Sequence, residues 1–159
     1  MIADLAMNTE QLRNKGIITI TKGGYKLGKI LKEFYTDADL YANKKYVDDG
    51  DISIDDGIQN LTDKIFNSYS ELIYIMATGI VVRAIAPKLK NKAIDPGVVV
   101  LDEKGINVIS LLSGHLGGAN ELTIEVSKIL DANPVITTAS DTNNKISVDM
   151  IASRYNLSM

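Results

Sequence analysis

The apolar residues of this chain change period as the chain advances, and that alternation limits it to one class of fold. Ile17-Ile-Thr-Ile-Thr21 is a β-branched run with strand spacing. After Lys22-Gly23-Gly24, the positions Leu27, Ile30, Leu31 and Phe34 recur at i, i+3, i+4 and i+7, the stripe of an amphipathic helix. Residues 39–43 form a weaker strand candidate, and Ile58, Leu61, Ile65 and Tyr69 share a second helical face. Leu72-Ile-Tyr-Ile-Met-Ala77 is the most hydrophobic run and is expected at the sheet centre, where both faces are covered. Ile80-Val-Val-Arg-Ala-Ile-Ala86 reads as a helix that Pro87 ends. Gly97-Val-Val-Val-Leu101 and residues 106–112 flank Asp102-Glu-Lys-Gly105, which is hairpin-turn chemistry. A helix with Ala119, Leu122, Val126, Ile129 and Leu130 inward follows, then a short strand over residues 134–138 and a terminal helix carrying Val148, Ile151, Ala152 and Tyr155. The pattern predicts an α/β fold: a three-layer sandwich with a mostly parallel sheet and one antiparallel hairpin.

At 159 residues and 45% hydrophobic, the chain has material for one well-cored domain, expected over residues 1–145. Residues 146–159 are expected to be the terminal helix, leading to a region absent from this chain. A net charge of −3, with no run of Lys or Arg, gives no electrostatic case for nucleic acid. There is no cysteine, hence no thiolate metal site, and the Asp-rich residues 48–56 lack EF-hand spacing. That segment reads as a solvated loop capping the next helix. No apolar stretch is long enough to span a bilayer. The opening Met-Ile-Ala-Asp-Leu-Ala-Met lacks a basic segment followed by an apolar one, so a cytoplasmic setting is expected.

Ligands of open parallel sheets bind at the carboxyl ends of strands, near a switch in strand order. Four turns are expected there and could share one crevice: Lys22-Gly23-Gly24, Thr78-Gly79, residues 113–118 and residues 137–141. The richest is Ser113-Gly-His-Leu-Gly-Gly-Ala-Asn-Glu-Leu122, which joins a strand to a helix and contains the sole histidine. Gly114, Gly117 and Gly118 let backbone approach a ligand, or permit close helix–strand packing. His115 is a candidate proton carrier, because imidazole is the side-chain type suited to proton transfer at cellular pH. Glu121 is either a catalytic carboxylate or a helix-dipole partner, and Asn120 either caps the helix or bonds substrate. Arg83 is a carboxylate clamp or part of a solvated face. Asp95, before Pro96, is a turn former.

Four segments resemble one family. Met76-Ala-Thr-Gly-Ile-Val-Val-Arg-Ala-Ile-Ala-Pro87, Asp95-Pro-Gly-Val-Val-Val-Leu-Asp-Glu-Lys-Gly105, residues 110–122 and Pro134-Val-Ile-Thr-Thr-Ala-Ser-Asp141 resemble the signature blocks of CbiG-type proteins, enzymes of the anaerobic route to cobalamin described as cobalt-precorrin-5A hydrolases. The resemblance implies that the chain is the N-terminal domain of a longer hydrolase that opens the substrate's δ-lactone with release of acetaldehyde. It implies a corrinoid-precursor substrate that brings its own cobalt, with no separate cofactor and no protein metal site. Catalysis is then assigned to His115 and Glu121, with backbone N–H groups around Gly117 and Gly118 facing the oxyanion. Lys22, Thr78, Gly79, Arg83, Ser113, Gly114, Asn120 and Asp141 complete the substrate-binding set. The implied partners are the small-molecule substrate and the protein's own C-terminal region, and a homo-oligomer stays open. The rival is a tetrapyrrole-binding module whose chemistry lies elsewhere. A flavodoxin-like nucleotide domain ranks below both, because no G-x-G-x-x-G or P-loop pattern is present.

Overall fold

A computed structural model describes residues 14–139. The terminal helix expected around Val148–Tyr155 lies outside the described residues, as does Asp141. Five strands run in one direction: β1 (Lys15–Thr19), β2 (Asp39–Asn43), β3 (Ile52–Ile54), β4 (Glu71–Ile75) and β5 (Gly97–Leu101). β6 (Asn107–Leu112) returns antiparallel to β5, and β7 (Asn133–Val135) runs parallel to β6. The sheet order is β3-β2-β1-β4-β5-β6-β7, which makes β4 the central strand.

The helices are α1 (Lys22–Phe34), α2 (Gly57–Ile65), α3 (Thr78–Ile85) and α4 (Ala119–Leu130). Period-2 alternation in the central strands divides the core into two layers. Ile17, Ile73, Ile75, Val99 and Leu101 face α1 and α4, packing with Leu31, Leu122 and Val126. Ile18, Leu72, Tyr74, Val98 and Val100 face the other way, with Ile65, Val81 and Ile85 from α2 and α3. Two helices therefore cover each face, and the three-layer α/β sandwich with one antiparallel hairpin is the observed fold.

Local chemistry explains the helix ends. The Thr21 hydroxyl accepts the Gly24 N–H at 3.0 Å and caps α1. The α3 helix begins at Thr78, two residues earlier than apolar spacing alone indicated, and a single 3₁₀ turn, Ala86–Lys88, carries Pro87 past its end. The last described strand, Asn133–Val135, is shorter than the expected 134–138.

The Asp-rich segment departs most from its sequence reading. Ile52–Ile54 pairs in parallel with β2 as an edge strand. Asp56 occupies the cap position of α2 but makes no side-chain cap bond. Asp51 is not solvated: its side chain is 1% exposed and receives Lys29 at 2.6 Å, Lys32 at 2.7 Å and the Tyr25 hydroxyl. These three residues are spaced along one face of α1, so the carboxylate ties that helix to the start of β3. A run of acidic letters hides which one is buried.

Burial opposes ionisation of Asp51, but Lys29, Lys32 and the Tyr25 hydroxyl outweigh it, and its pKa lies below the ordinary aspartate value. A depressed folded-state pKa contributes stability that is complete above the unfolded value, near 3.9, and is lost as pH falls through the folded one. Asp51→Asn should cost about 1.5–3 kcal/mol at neutral pH, the range for hydrogen bonds to charged groups. Urea denaturation of the two proteins should show that difference constant from pH 7 to 5 and shrinking below pH 4. A difference independent of acid would remove the ion-pair account.

Candidate functional site

Strand direction sorts the expected turns onto two rims. β1 and β4 are parallel, so Lys22-Gly23-Gly24 and Thr78-Gly79 follow the carboxyl ends of neighbouring strands and share one rim. β6 and β7 are reversed, so residues 113–118 and Thr137-Thr138 emerge at the other rim. A five-residue strand rises roughly 15 Å, and that distance separates the two groups. The single crevice expected from the sequence is corrected: the hairpin that reverses β6 carries the histidine-bearing turn away from Thr78.

The first rim holds an open cavity of about 490 Å³ at the switch in strand order, between β1 and β4. Ile20, Met76, Ile80, Val100 and Ile109 form apolar walls, and Thr21, Thr78, Asp102, Glu103 and Asn107 supply polar groups. The N-termini of α1 and α3 both reach this rim. Ala77, ahead of α3, provides no side-chain cap, so the first N–H groups of that helix are left to the crevice. Asp102 is committed to its own turn, accepting the N–H groups of Asn107 at 2.8 Å, Ile106 at 3.1 Å and Lys104 at 3.0 Å. Burial works against its ionisation, yet those bonds carry its pKa below the usual range. Glu103 is exposed and stands against the first turn of α1 beside Gly23. Lys22 opens α1 at the same rim. Arg83 lies in the second turn of α3 on an exposed flank and does not line the cavity.

The second rim is built by close backbone approach. A Cβ at Gly117 would collide with Ser113 and crowd the Gly97 amide, and one at Gly97 would collide with the Gly117 carbonyl. Gly118 has φ 83°, a left-handed value that glycine adopts freely, and its bare Cα faces the Glu71 carboxylate. The N–H groups of Gly118, Ala119 and Asn120 go to the carbonyls of His115 at 3.3 Å, Ser113 at 3.2 Å and Gly114 at 3.0 Å. The Gly118 amide expected to meet an oxyanion is therefore already engaged. Asn120 is buried; its Oδ1 accepts from Ser110 Oγ at 2.7 Å and its Nδ2 donates to Thr138 Oγ1 at 3.0 Å. His115 and Glu121 are both exposed, His115 at the tip of the turn and Glu121 in the first turn of α4. Glu71, which no sequence pattern singled out, is paired with Lys15 at 3.1 Å. Burial raises its pKa, against Lys15, and Glu125 and Glu121 add to the rise.

Residues 60–141 match the family model described as Cobalamin synthesis G N-terminal. The chain belongs to this family. Two similar curated proteins are cobalt-precorrin-5A hydrolases: one from Priestia megaterium, 47% identical over 87% of this chain, and one from Salmonella typhimurium, 42% identical over 96%. The alignments take in 38% and 43% of those proteins, so the chain spans about two fifths of their length. A crystal structure described as a homologue of cobalamin biosynthesis protein G from Sulfolobus solfataricus superposes with a TM-score of 0.61 at 27% identity, covering 89% of this chain and 40% of that one. In this member of the Cobalamin synthesis G N-terminal family, no helix among the described residues is long and apolar enough to cross a membrane.

Sequence reasoning located Thr78, Gly79 and Lys22 on the crevice rim but missed Thr21, Asp102, Glu103 and Asn107 beside them. The available signal was Asp102-Glu-Lys-Gly105, read as a turn alone. Because that turn sits at the end of β5, next to β4, its side chains also finish the crevice wall.

The glycines of the two rims should respond differently to substitution. Gly117→Ala and Gly97→Ala each force a side chain into backbone and should destabilise by about 1–3 kcal/mol or more. Gly79 has open space around its Cα and an ordinary φ. Gly79→Ala should hold stability or raise it by up to about 1 kcal/mol, the helix-propensity difference. Thermal unfolding of the three variants checks the contrast, and a tolerated Gly117→Ala would show that the turn is not packed as described.

Proposed function

We propose that this chain is the N-terminal domain of a cobalt-precorrin-5A hydrolase, which opens the δ-lactone of cobalt-precorrin-5A and releases acetaldehyde to give cobalt-precorrin-5B. The observation that carries this reading is the alignment, along nearly the whole chain, with two curated hydrolases of that name. The chain covers about two fifths of each, so turnover is proposed for the longer protein and substrate holding for this domain. The cobalt belongs to the substrate, and no further cofactor is invoked. A cytoplasmic setting and contact with the protein's own C-terminal region are parts of the same proposal.

The reaction adds water to the lactone carbonyl, passes through a tetrahedral oxyanion, and frees a carboxylate and a hydroxyl. Loss of the hydroxyl proton then breaks the carbon–carbon bond: acetaldehyde leaves, the bond's electron pair stays on the macrocycle, and a proton returns there. Three needs follow: an apolar surface for the ring, donors for the oxyanion and the carboxylate arms, and a group to move protons. The crevice at the carboxyl ends of β1, β4 and β5 supplies the first through Ile20, Met76, Ile80 and Val100. The uncapped N–H groups of Thr78 and Gly79, at the start of α3, serve the second. For the third, Glu103 is the lining carboxylate whose oxygens are not taken up by the turn, unlike those of Asp102. His115 and Glu121, assigned to catalysis from sequence, stand on the opposite rim and do not serve a ligand held in this crevice.

Acetaldehyde release measured in a full-length enzyme carrying this domain tests both the activity and its placement. Glu103→Gln should lower turnover by about 10²–10⁴-fold, the contribution of a general acid/base. His115→Asn should stay within a few-fold of the parent at unchanged melting temperature. The reverse pattern would move the chemistry to the second rim. Absence of acetaldehyde from the unaltered enzyme would overturn the hydrolase reading.

A further inference from the structure

The crevice does not end at β1. Ile20, its wall residue after β1, is also a wall of a second cavity of about 360 Å³ on the same rim, over the carboxyl ends of β2 and β3. Together the two cavities extend across the strands from β3 to β6, about five interstrand spacings of roughly 4.8 Å each. The second cavity has an apolar floor, Ile20, Ile54 and Ile58, and two cations at its mouth, Lys44 and Lys45.

Among the described residues, Lys15, Lys29, Lys32, Lys64 and Lys88 each meet a carboxylate within 4.0 Å. Among those same residues Lys44 and Lys45 have no such ion pair, a state they share with other exposed lysines such as Lys22 and Lys26, but they stand side by side at the wall of a cavity. The Asp55 carboxylate lines the same cavity, accepts the Ser53 hydroxyl at 2.9 Å and pairs with neither lysine, so the lining carries two cations against one anion. Asn43 shapes the turn that presents the pair, its Oδ1 accepting the Lys45 N–H at 3.0 Å. Two adjacent ammonium groups without an ion-pair partner, at the mouth of a cavity with an apolar floor that adjoins a larger apolar crevice, match an anionic arm carried on a hydrophobic body.

We propose that Lys44 and Lys45 form a carboxylate-arm subsite, in which an acidic side arm of a macrocycle held in the main crevice crosses Ile20 and is bound between the two ammonium groups. This rests on reading the main crevice as the corrinoid site. It adds a specificity element that the hydrolase assignment does not contain: the domain selects a macrocycle with free carboxylates at one edge and rejects the same ring with those arms esterified.

The test uses cobyrinic acid, a corrin with free carboxylate arms, and its fully methylated ester, titrated into this chain and followed by the corrin absorption band. The wild-type protein should bind the acid at least tenfold more tightly than the ester, with an affinity that falls as salt is raised. The pair Lys44→Ala and Lys45→Ala should lose about tenfold for the acid and nothing for the ester. Lys44→Arg with Lys45→Arg should keep most of the affinity, and Lys44→Glu with Lys45→Glu should fall below the alanine pair. Thermal melts report folding, and both positions are exposed, so the fold should survive every variant. If the wild-type protein binds neither compound, the corrinoid reading of the crevice fails and takes this subsite with it. If it binds the acid but the alanine and glutamate pairs bind equally well, the subsite alone is overturned. Equal wild-type affinity for acid and ester also overturns it.

Discussion

β5 is bonded on one side to a parallel neighbour and on the other to an antiparallel one, and the placement of every later residue depends on that junction. The turn that makes the reversal, Asp102–Gly105, is held by one carboxylate accepting three backbone N–H groups and by Gly105 at φ 67°. Had β6 returned through a helix as a parallel strand, its glycine-rich exit would have joined Thr78 above the sheet. Because it returns directly, the exit lands beneath β5, where the Gly97 and Gly117 backbones touch. One tight turn thus divides the chain's polar chemistry between two rims, and a register shift between Val98 and Val99 fits the reversed strand to the turn beyond it.

The layers of this fold are legible because they are one-dimensional patterns. Alternation in residues 72–76 and 98–101 assigns each side chain to a face, and four-residue turn chemistry identifies the hairpin. Rim assignment is not such a pattern, since it requires knowing which strands are parallel. Residues 113–118 look the same in sequence whether their strand points up or down, so a glycine-rich strand-to-helix turn was legible but its address was not. Asp51 illustrates a second limit. Four other aspartates surround it between positions 48 and 56, and only the spacing of Tyr25, Lys29 and Lys32 on α1 distinguishes it, a correspondence between distant segments.

The glycine cluster also shows how one motif supports two accounts that geometry separates. Glycines admit a ligand or a neighbouring backbone, and the sequence is silent about which. Here the space above Gly97 and Gly117 is occupied by the other's main chain, and the amides at the start of α4 are already bonded. The buried Asn120 amide bridges β6 to Thr138 through both ends, so this rim reads as a joint between elements. The crevice on the other rim has a different character: apolar walls and, at the start of α3, a helix N-terminus without a side-chain cap.

Both outer strands of the sheet are three residues long, and one of them, β7, contains Pro134, which has no amide hydrogen to offer. Short edges and a missing donor make poor templates for another chain to pair with. Among the described residues, lateral growth of this sheet is therefore disfavoured at both flanks. That arrangement favours association through side chains on the helical layers and rims, where shape and charge can discriminate, over the indiscriminate hydrogen-bonding of exposed main chain.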